Sequence, residues 1–383
     1  MGESSTTAII GGALAGLSLA YGLVERGMEP SSVTVFDRGD PHRGSNSPAL
    51  MMHPFPGREV RLRRGQGTSF VRSWERLAQW RRRFGEDGWW KPGTMVRPLA
   101  DDDRGQLLYD SWLRVRDRLP EPVVCQKMEA SEVNDRFSGI QLNTPALTYE
   151  PAAAVIAGPL LDHLRGYLDA KGVVFRDQAV RALHREARQW HCELEKGPSW
   201  AGQQVVLAVG SALDGYFPGL DLRRRAGELL ILEPPPGERL EAFVNLKTHI
   251  VQLPTGMWGL GSTYFDPTSP EERNEDEIID ILKAGVVDAV PGVADARVAD
   301  LWRGERGVFG SDDMPLVGPV PNRPGLFSMA AFGSKGLLWA PEAGRALAGL
   351  LVDGENALCP HMDSRRMSAE KWGTQSRWSI SRR

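Results

Sequence analysis

Apolar and polar positions alternate most tellingly in the first forty residues. Ala8–Ile10 is a short apolar run that reads as a buried strand. A glycine-rich turn follows (Gly11, Gly12, Ala13, Leu14, Ala15, Gly16), and Leu17–Arg26 has the periodicity of a helix. Gly27 stands where a helix stop is expected. A second apolar run, Val33–Phe36, ends on Asp37. Strand, glycine turn, helix, strand and a terminal acid about twenty residues beyond the last glycine are the layout of a dinucleotide-binding βαβ unit. In that layout Gly11 allows the tight turn, free amides at the helix start face an anionic pyrophosphate, and Gly16 lets helix and strand approach. Asp37 is placed to accept hydrogen bonds from a ribose. Ala13 stands where the pattern has its middle glycine, so a methyl group narrows the approach to phosphate.

Further along, Ser45–Pro54 reads on its own as a loop followed by a core strand, although its hydroxyl and amide groups also suit ribose or phosphate. Leu50, Met51 and Met52 supply an apolar wall. Phe70, Trp74, Leu77, Trp80 and Phe84 recur at helical spacing, which predicts a helix that buries its aromatics. Thr94–Pro98 reads as a strand and Asp101–Arg118 as an exposed helix; Val123–Glu150 is mixed and carries no legible chemistry. Ala152–Lys171 reads as one amphipathic helix ending at Gly172. Short strands are expected at Val173–Phe175, Ala179–Leu183, His191–Glu195 and Gln203–Leu207, the last running into Ala208-Val209-Gly210. Such a strand end, far from the first βαβ unit, suggests a discontinuous nucleotide-binding domain. Four short runs between Leu229 and Ser262, separated by Pro/Gly turns, predict an antiparallel sheet. Glu271–Val290 reads as an acidic helix with Ser269 as cap and Pro270 at its first position. Gly333-Ser-Lys-Gly336 opens the last helix, a second natural place for an anionic group.

Composition changes this picture little. A chain of 383 residues suits two domains, and it contains no long uncharged apolar run, no secretory cleavage pattern and no basic leader. Cys125, Cys192 and Cys359 have neither metal nor disulfide spacing, so a reducing cytoplasm is expected. The net charge of −3 demands no nucleic acid, but charge is uneven. Residues 58–91 carry a net +6 with interleaved tryptophans, and residues 364–383 a net +5 with Trp372 and Trp378. The arginines of the first stretch are a solvated face or a phosphate-binding surface. The tail is expected to be solvated, with RNA contact as the alternative.

Three remote motifs stand together: Gly11–Gly16 with Asp37; Ala208-Val-Gly210; and Trp302-Arg-Gly304-Glu-Arg306, followed by Asp313-Met-Pro315-Leu-Val-Gly318 and Gly333-Ser-Lys-Gly-Leu-Leu-Trp-Ala-Pro341. Together they resemble the FAD-dependent D-amino-acid oxidase/glycine oxidase superfamily across essentially the whole chain. Within it, Gly44–Pro54 and Gly333–Leu337 are most similar to the FAD oxidase domain of the bifunctional tRNA 5-methylaminomethyl-2-thiouridine biosynthesis proteins. Ala13, Asn46, His53 and Lys335 depart from that domain's pattern, and its methyltransferase partner domain has no counterpart here.

The resemblance implies an α/β fold: a discontinuous FAD-binding Rossmann-like domain of the glutathione-reductase type (1–57, 152–215, 303–360). A second α+β substrate domain on an antiparallel sheet (58–151, 216–302) and a basic tail (361–383) complete it. It further implies non-covalent FAD. Gly11, Gly12, Ala13, Leu14 and Ala15 would cradle its pyrophosphate, and Asp37 with the adjoining Arg38 would flank the ribose. Ser45 and Asn46 would contact phosphate or ribitol, and Val180 would meet the adenine through its backbone. Met51 and Met52 would lie near the isoalloxazine, Ala208 and Gly210 would close the strand end, and Gly333, Ser334, Lys335, Gly336 and Leu337 would face the flavin N1/O2 edge. Arg306 would grip a substrate carboxylate, a task its planar fork suits. The implied reaction is oxidation of a C–N bond in a small amine or amino-acid-like group, free or carried on tRNA, with no membrane partner. A flavin- or RNA-binding protein without turnover is the reading of another class.

Overall fold

Thr7–Ile10 forms a buried strand flanked by two parallel neighbours, Val33–Phe36 and Gln204–Leu207. A computed structural model of the chain describes residues 6–61, 65–85, 87–268, 273–310, 312–373 and 377–379. Two compact units emerge: 1–45 with 161–225 and 305–383, and 46–160 with 226–304. The sequence reading put these breaks at 57, 151, 215, 302 and 360. Strands rather than loops carry the chain across at 225/226 and 304/305, which hides those junctions from a composition-based reading.

In the first unit a six-stranded sheet runs Leu316–Pro319, Leu326–Ala330, Gln204–Leu207, Thr7–Ile10, Val33–Phe36, Val174–Arg176. All neighbours are parallel except the first pair. This is the Rossmann-like layer expected from the βαβ pattern. Two helices lie along each other beside it: Leu14–Glu25, which starts three residues before the expected Leu17, and Gly336–Asp353. A second, four-stranded sheet runs Trp200–Gly202, Gln189–Leu194, Val180–Glu186, Arg377–Ser379.

The tail is part of this unit. Trp372 is fully buried and meets the Phe217 ring edge-on at 4.8 Å, and Trp378 packs 5.9 Å from Trp190. Burial of two indoles outweighs solvation of the surrounding charge, which a composition-based reading does not weigh. The cations are also matched: Arg365 bonds to Asp363, Arg366 to Asp312 and Arg377 to Glu193. Arg382 and Arg383 lie outside the described residues.

The second unit holds most of a nine-stranded, mostly antiparallel sheet in which Trp90–Pro98 pairs along Ala146–Val155. Ala152–Val155, expected as the start of a helix, belongs to that strand, and the helix is Ala157–Lys171. Ala153–Val155 is hydrogen-bonded on both sides, to Leu50–Met52 and to Trp90–Pro92, and this tertiary pairing overrides the helical preference of three alanines. The acidic helix is shorter than expected, Glu275–Ala284. Its cap is Asn274, whose side chain accepts the Glu277 amide at 2.9 Å. The expected cap Ser269 and first residue Pro270 lie outside the described residues. The aromatic helix spans Gln66–Phe84 and buries Phe70, Leu77 and Trp80 completely, so these aromatics are core. Arg76 is buried with them and bonds to Gln79, while Arg81 lies 4.7 Å over the Trp90 ring. Arg63, Arg64 and Glu86 lie outside the described residues.

Candidate cofactor and substrate site

The residues singled out in the first unit converge on one corner. The backbone rises out of Ile10 into Gly11, whose φ of +111° is a left-handed conformation suited to glycine. A Cβ there would lie 2.3 Å from the Ala208 carbonyl oxygen, and the Ala208 amide donates to Ile10 at 2.8 Å. The first and second motifs therefore touch. A Cβ on Gly12 would sit 2.9 Å from the Asp37 carboxylate, so the acid stands directly over the turn. Gly16 faces Gly11 so closely that a Cβ would be 1.9 Å from the Gly11 carbonyl oxygen. Ala13 has extended backbone (φ −91°, ψ −169°), which alanine adopts without strain. That is why the pattern tolerates a methyl group here.

From Gly210 the corner continues to Gly307 and Gly333. A Cβ on Gly307 would be 3.1 Å from the Gly210 carbonyl oxygen, and the Gly333 amide donates to Gly307 at 3.0 Å. Gly333 itself has φ +56°. It opens the helix Gly336–Asp353, whose first residue lies beside Leu14, the first residue of the other helix. Farther along, Gly344 abuts Ser18, Gly22 abuts Ala348, and Gly349 abuts Arg26. The two helices are thus parallel, held in close contact by glycines, with their N-termini side by side.

Parallel side-by-side packing is electrostatically unfavourable by itself. Each N-terminus carries about +0.5 of an elementary charge. Neither start has a side-chain cap or an acidic residue in its first turn, so the amides stay available. At the other ends Arg26 bridges to Asp353 and Glu355, where cations oppose the negative poles. The arrangement concentrates positive potential beside Gly11–Ala15 and Gly333–Leu337 and suits an anionic ligand.

Residues of the Asp37 loop complete the corner. Asp37 accepts from Arg43 at 2.5 Å and from the Gly39 amide at 3.2 Å, which fixes the carboxylate. Arg38, by contrast, points out to solvent and pairs with Asp40 at 3.1 Å. The Glu305 amide donates to His42 at 2.8 Å, and Gly44 lies against Glu305 and Arg306. Arg306 is therefore held next to the loop that carries Ser45. Val180 is buried in the same apolar cluster as Ile10 and Phe36. Asn46, Met51 and Met52 fall in the second unit, Met51 and Met52 on a strand paired with Ala153–Ala154. Sequence reasoning missed Arg43 and Gly307. The extra glycine after Arg306 was the signal for Gly307; Arg43 gave none.

The second unit holds a buried polar group that the sequence marked only as a departure. His53 is 5% exposed, lies tilted by 35° against the Tyr149 ring at 5.6 Å, and its Nδ1 has no hydrogen-bond partner among the described residues. Burial, followed by the charges of Arg97 and His249, pushes its pKa down to about 3. Folded His53 is therefore neutral, whereas the unfolded chain takes up its proton below about pH 6.5. Its neutrality supports the fold fully above that pH, and the support is lost as pH falls from about 6.5 toward 3, by at most ~1.4 kcal/mol per pH unit. His53→Phe keeps the ring contact and removes the proton site. Urea unfolding across this range is expected to show a shallower loss of stability on acidification in the variant.

A profile of the family described as FAD dependent oxidoreductase matches residues 6–350. The chain belongs to the FAD-dependent oxidoreductase family. Its cofactor is FAD. Among curated relatives, the tRNA 5-methylaminomethyl-2-thiouridine biosynthesis bifunctional protein MnmC of Thiobacillus denitrificans is 25% identical over 90% of this chain and 56% of its own length. The Idiomarina loihiensis protein of that name is 23% identical, covering 89% and 54%. This flavoprotein thus spans about half the length of those relatives. Its fold is that of glycine oxidase from Geobacillus kaustophilus (TM-score 0.79, 21% identity, 92% of this chain and 96% of that one). Iminodiacetate oxidase from Chelativorans sp. BNC1 is also similar (TM-score 0.76, 19% identity, 92% and 96%). Among the described residues no helix is long and apolar enough to cross a membrane.

Proposed function

We propose that this flavoprotein oxidises the C–N bond of an N-substituted glycine or a similar amino-acid-like group. The observation that carries the reading is the pair of parallel, uncapped helix starts that meet beside Gly11 and Gly336. One start, with Gly11, Gly12, Ala13, Leu14 and Ala15, suits the FAD pyrophosphate, because the glycine turn leaves room for oxygen atoms where a Cβ would intrude. Asp37, clamped by Arg43, receives the adenosine ribose, and Val180 lines the adenine side. The other start, Gly333–Leu337, offers amides to the flavin edge on which negative charge gathers during reduction. Ser45 is assigned to a phosphate, and Ala208 and Gly210 close the strand end.

Bound FAD would supply the oxidising power, as acceptor of a hydride equivalent from the carbon beside a neutral amine, with the proton on nitrogen passing to water. The chain's own part is orientation. Arg306 fixes the substrate carboxylate through two parallel N–H donors and so sets which C–H bond faces the cofactor. The imine product hydrolyses in water and needs no further protein group. Burial pushes the Cys125 and Cys192 thiols up to about 12, away from the reactive thiolate, which suits non-covalent FAD.

The likeness to the MnmC proteins favours a second form of the reading, in which the group is the carboxymethylaminomethyl arm of a tRNA wobble uridine. That arm is itself an N-substituted glycine, so the chemistry is shared. The internal pairing of Arg365, Arg366 and Arg377 leaves fewer cations for RNA and favours a free small molecule. Anaerobic mixing of the holoprotein with glycine, sarcosine or undermodified tRNA separates the forms. Bleaching by sarcosine or glycine is the expected result, bleaching by tRNA alone would support the second form, and bleaching by none would refute the proposed chemistry.

A further inference from the structure

Outside the flavin corner, one group of side chains has the composition and placement of a metal site. We propose that the hairpin formed by Val180–Glu186 and Gln189–Leu194 binds a divalent transition ion of the zinc, nickel or copper kind through His184, His191 and Glu186. His184 and His191 are direct partners across the antiparallel pair, and their rings stack at 5.2 Å with only 9° between planes. Glu186 lies two residues beyond His184 on the same strand and therefore on the same face. One ligand atom from each of the three lies within 4.8 Å of the others. A tetrahedral ion with bonds of about 2.0–2.2 Å needs its ligands roughly 3.4 Å apart. Closing the site therefore takes a movement on the order of an ångström, and the exposed Glu186 side chain is free to make it.

Neighbouring groups favour the same use. Glu193 follows His191 by two residues and reaches the same face, with its carboxylate 3.3 Å from His184 Nδ1. It is held from the far side by two bonds from Arg377, at 2.6 and 2.9 Å. Such a carboxylate beside a ligand imidazole is placed to orient the ring once an ion is bound. Two imidazoles and one carboxylate select borderline ions over magnesium or calcium, which prefer oxygen ligands. The fourth position opens to water. Because His184 and Glu186 stand on one strand and His191 on its neighbour, the ion would fasten two adjacent strands of the small sheet.

The test uses the holoprotein without an affinity tag. Zinc chloride is titrated calorimetrically, and cobalt(II) chloride is followed by its visible bands at wavelengths longer than flavin absorption. One equivalent of either ion is expected, with a tetrahedral cobalt spectrum. The variant carrying His184→Asn and His191→Asn together should bind at least about 100-fold more weakly, and Glu186→Gln roughly tenfold more weakly. An unchanged flavin spectrum in these variants shows that they remain folded. Failure of the wild-type protein to take up zinc at micromolar concentration would overturn the proposal, as would equal affinity in the double variant.

Discussion

Arg306→Lys is expected to keep its flavin and lose at least about 100-fold in kcat/KM for a carboxylate-bearing amine. Lysine keeps the charge but replaces a planar two-point grip with a single rotating ammonium, so the carboxylate no longer fixes the amine carbon in one pose. The loss should appear in kcat as well as KM, because orientation matters most as the bond breaks. Retained flavin follows from position: Arg306 lies beside Gly44 and Glu305 and outside the glycine turn. Steady-state kinetics beside an absorption spectrum read both effects from one preparation. Unchanged turnover would remove Arg306 from the substrate grip and leave the cofactor assignment standing.

Gly11→Val should yield protein that binds FAD at least about 100-fold more weakly. At φ +111° a β-branched residue is strained, and its Cβ would enter the Ala208 carbonyl, so the turn and the strand end must separate. That separation spoils the cradle that the uncapped helix start presents. Gly27→Ala is the matched control. Its φ of +82° carries similar strain, of order 1 kcal/mol, but no atom lies within 4 Å of the added methyl. It should lower the melting temperature slightly and bind FAD normally. Fluorescence titration of the apoproteins with FAD distinguishes the two.

Much of the corner proposed for the flavin was legible because its signals are local. Gly11–Gly16 and Asp37 lie within one βαβ unit, and each glycine answers a backbone need within that unit. The convergence of Ala208, Gly307 and Gly333 was legible only as a set of motifs resembling a family, since nothing in their spacing brings them together. Arg43 was illegible because its role comes from reaching back to Asp37 across a turn in which Arg38, next to the acid, looked the nearer partner. Ala152–Val155 misled for a different reason: three alanines fit either period, and only pairing on both sides makes them a strand. Trp372 and Trp378 misled because charge counts outweighed two indoles whose partners, Phe217 and Trp190, lie more than a hundred residues away.

The central claim is that remote pieces of one unit hold a single, non-covalent flavin, and a visible absorption spectrum taken before and after acid precipitation tests it most directly. The purified protein should show flavin bands at close to one equivalent, with the yellow colour passing wholly into the supernatant as FAD. A colourless protein whose spectrum and melting temperature ignore added FAD would contradict the account, and colour retained in the pellet would contradict its non-covalent part.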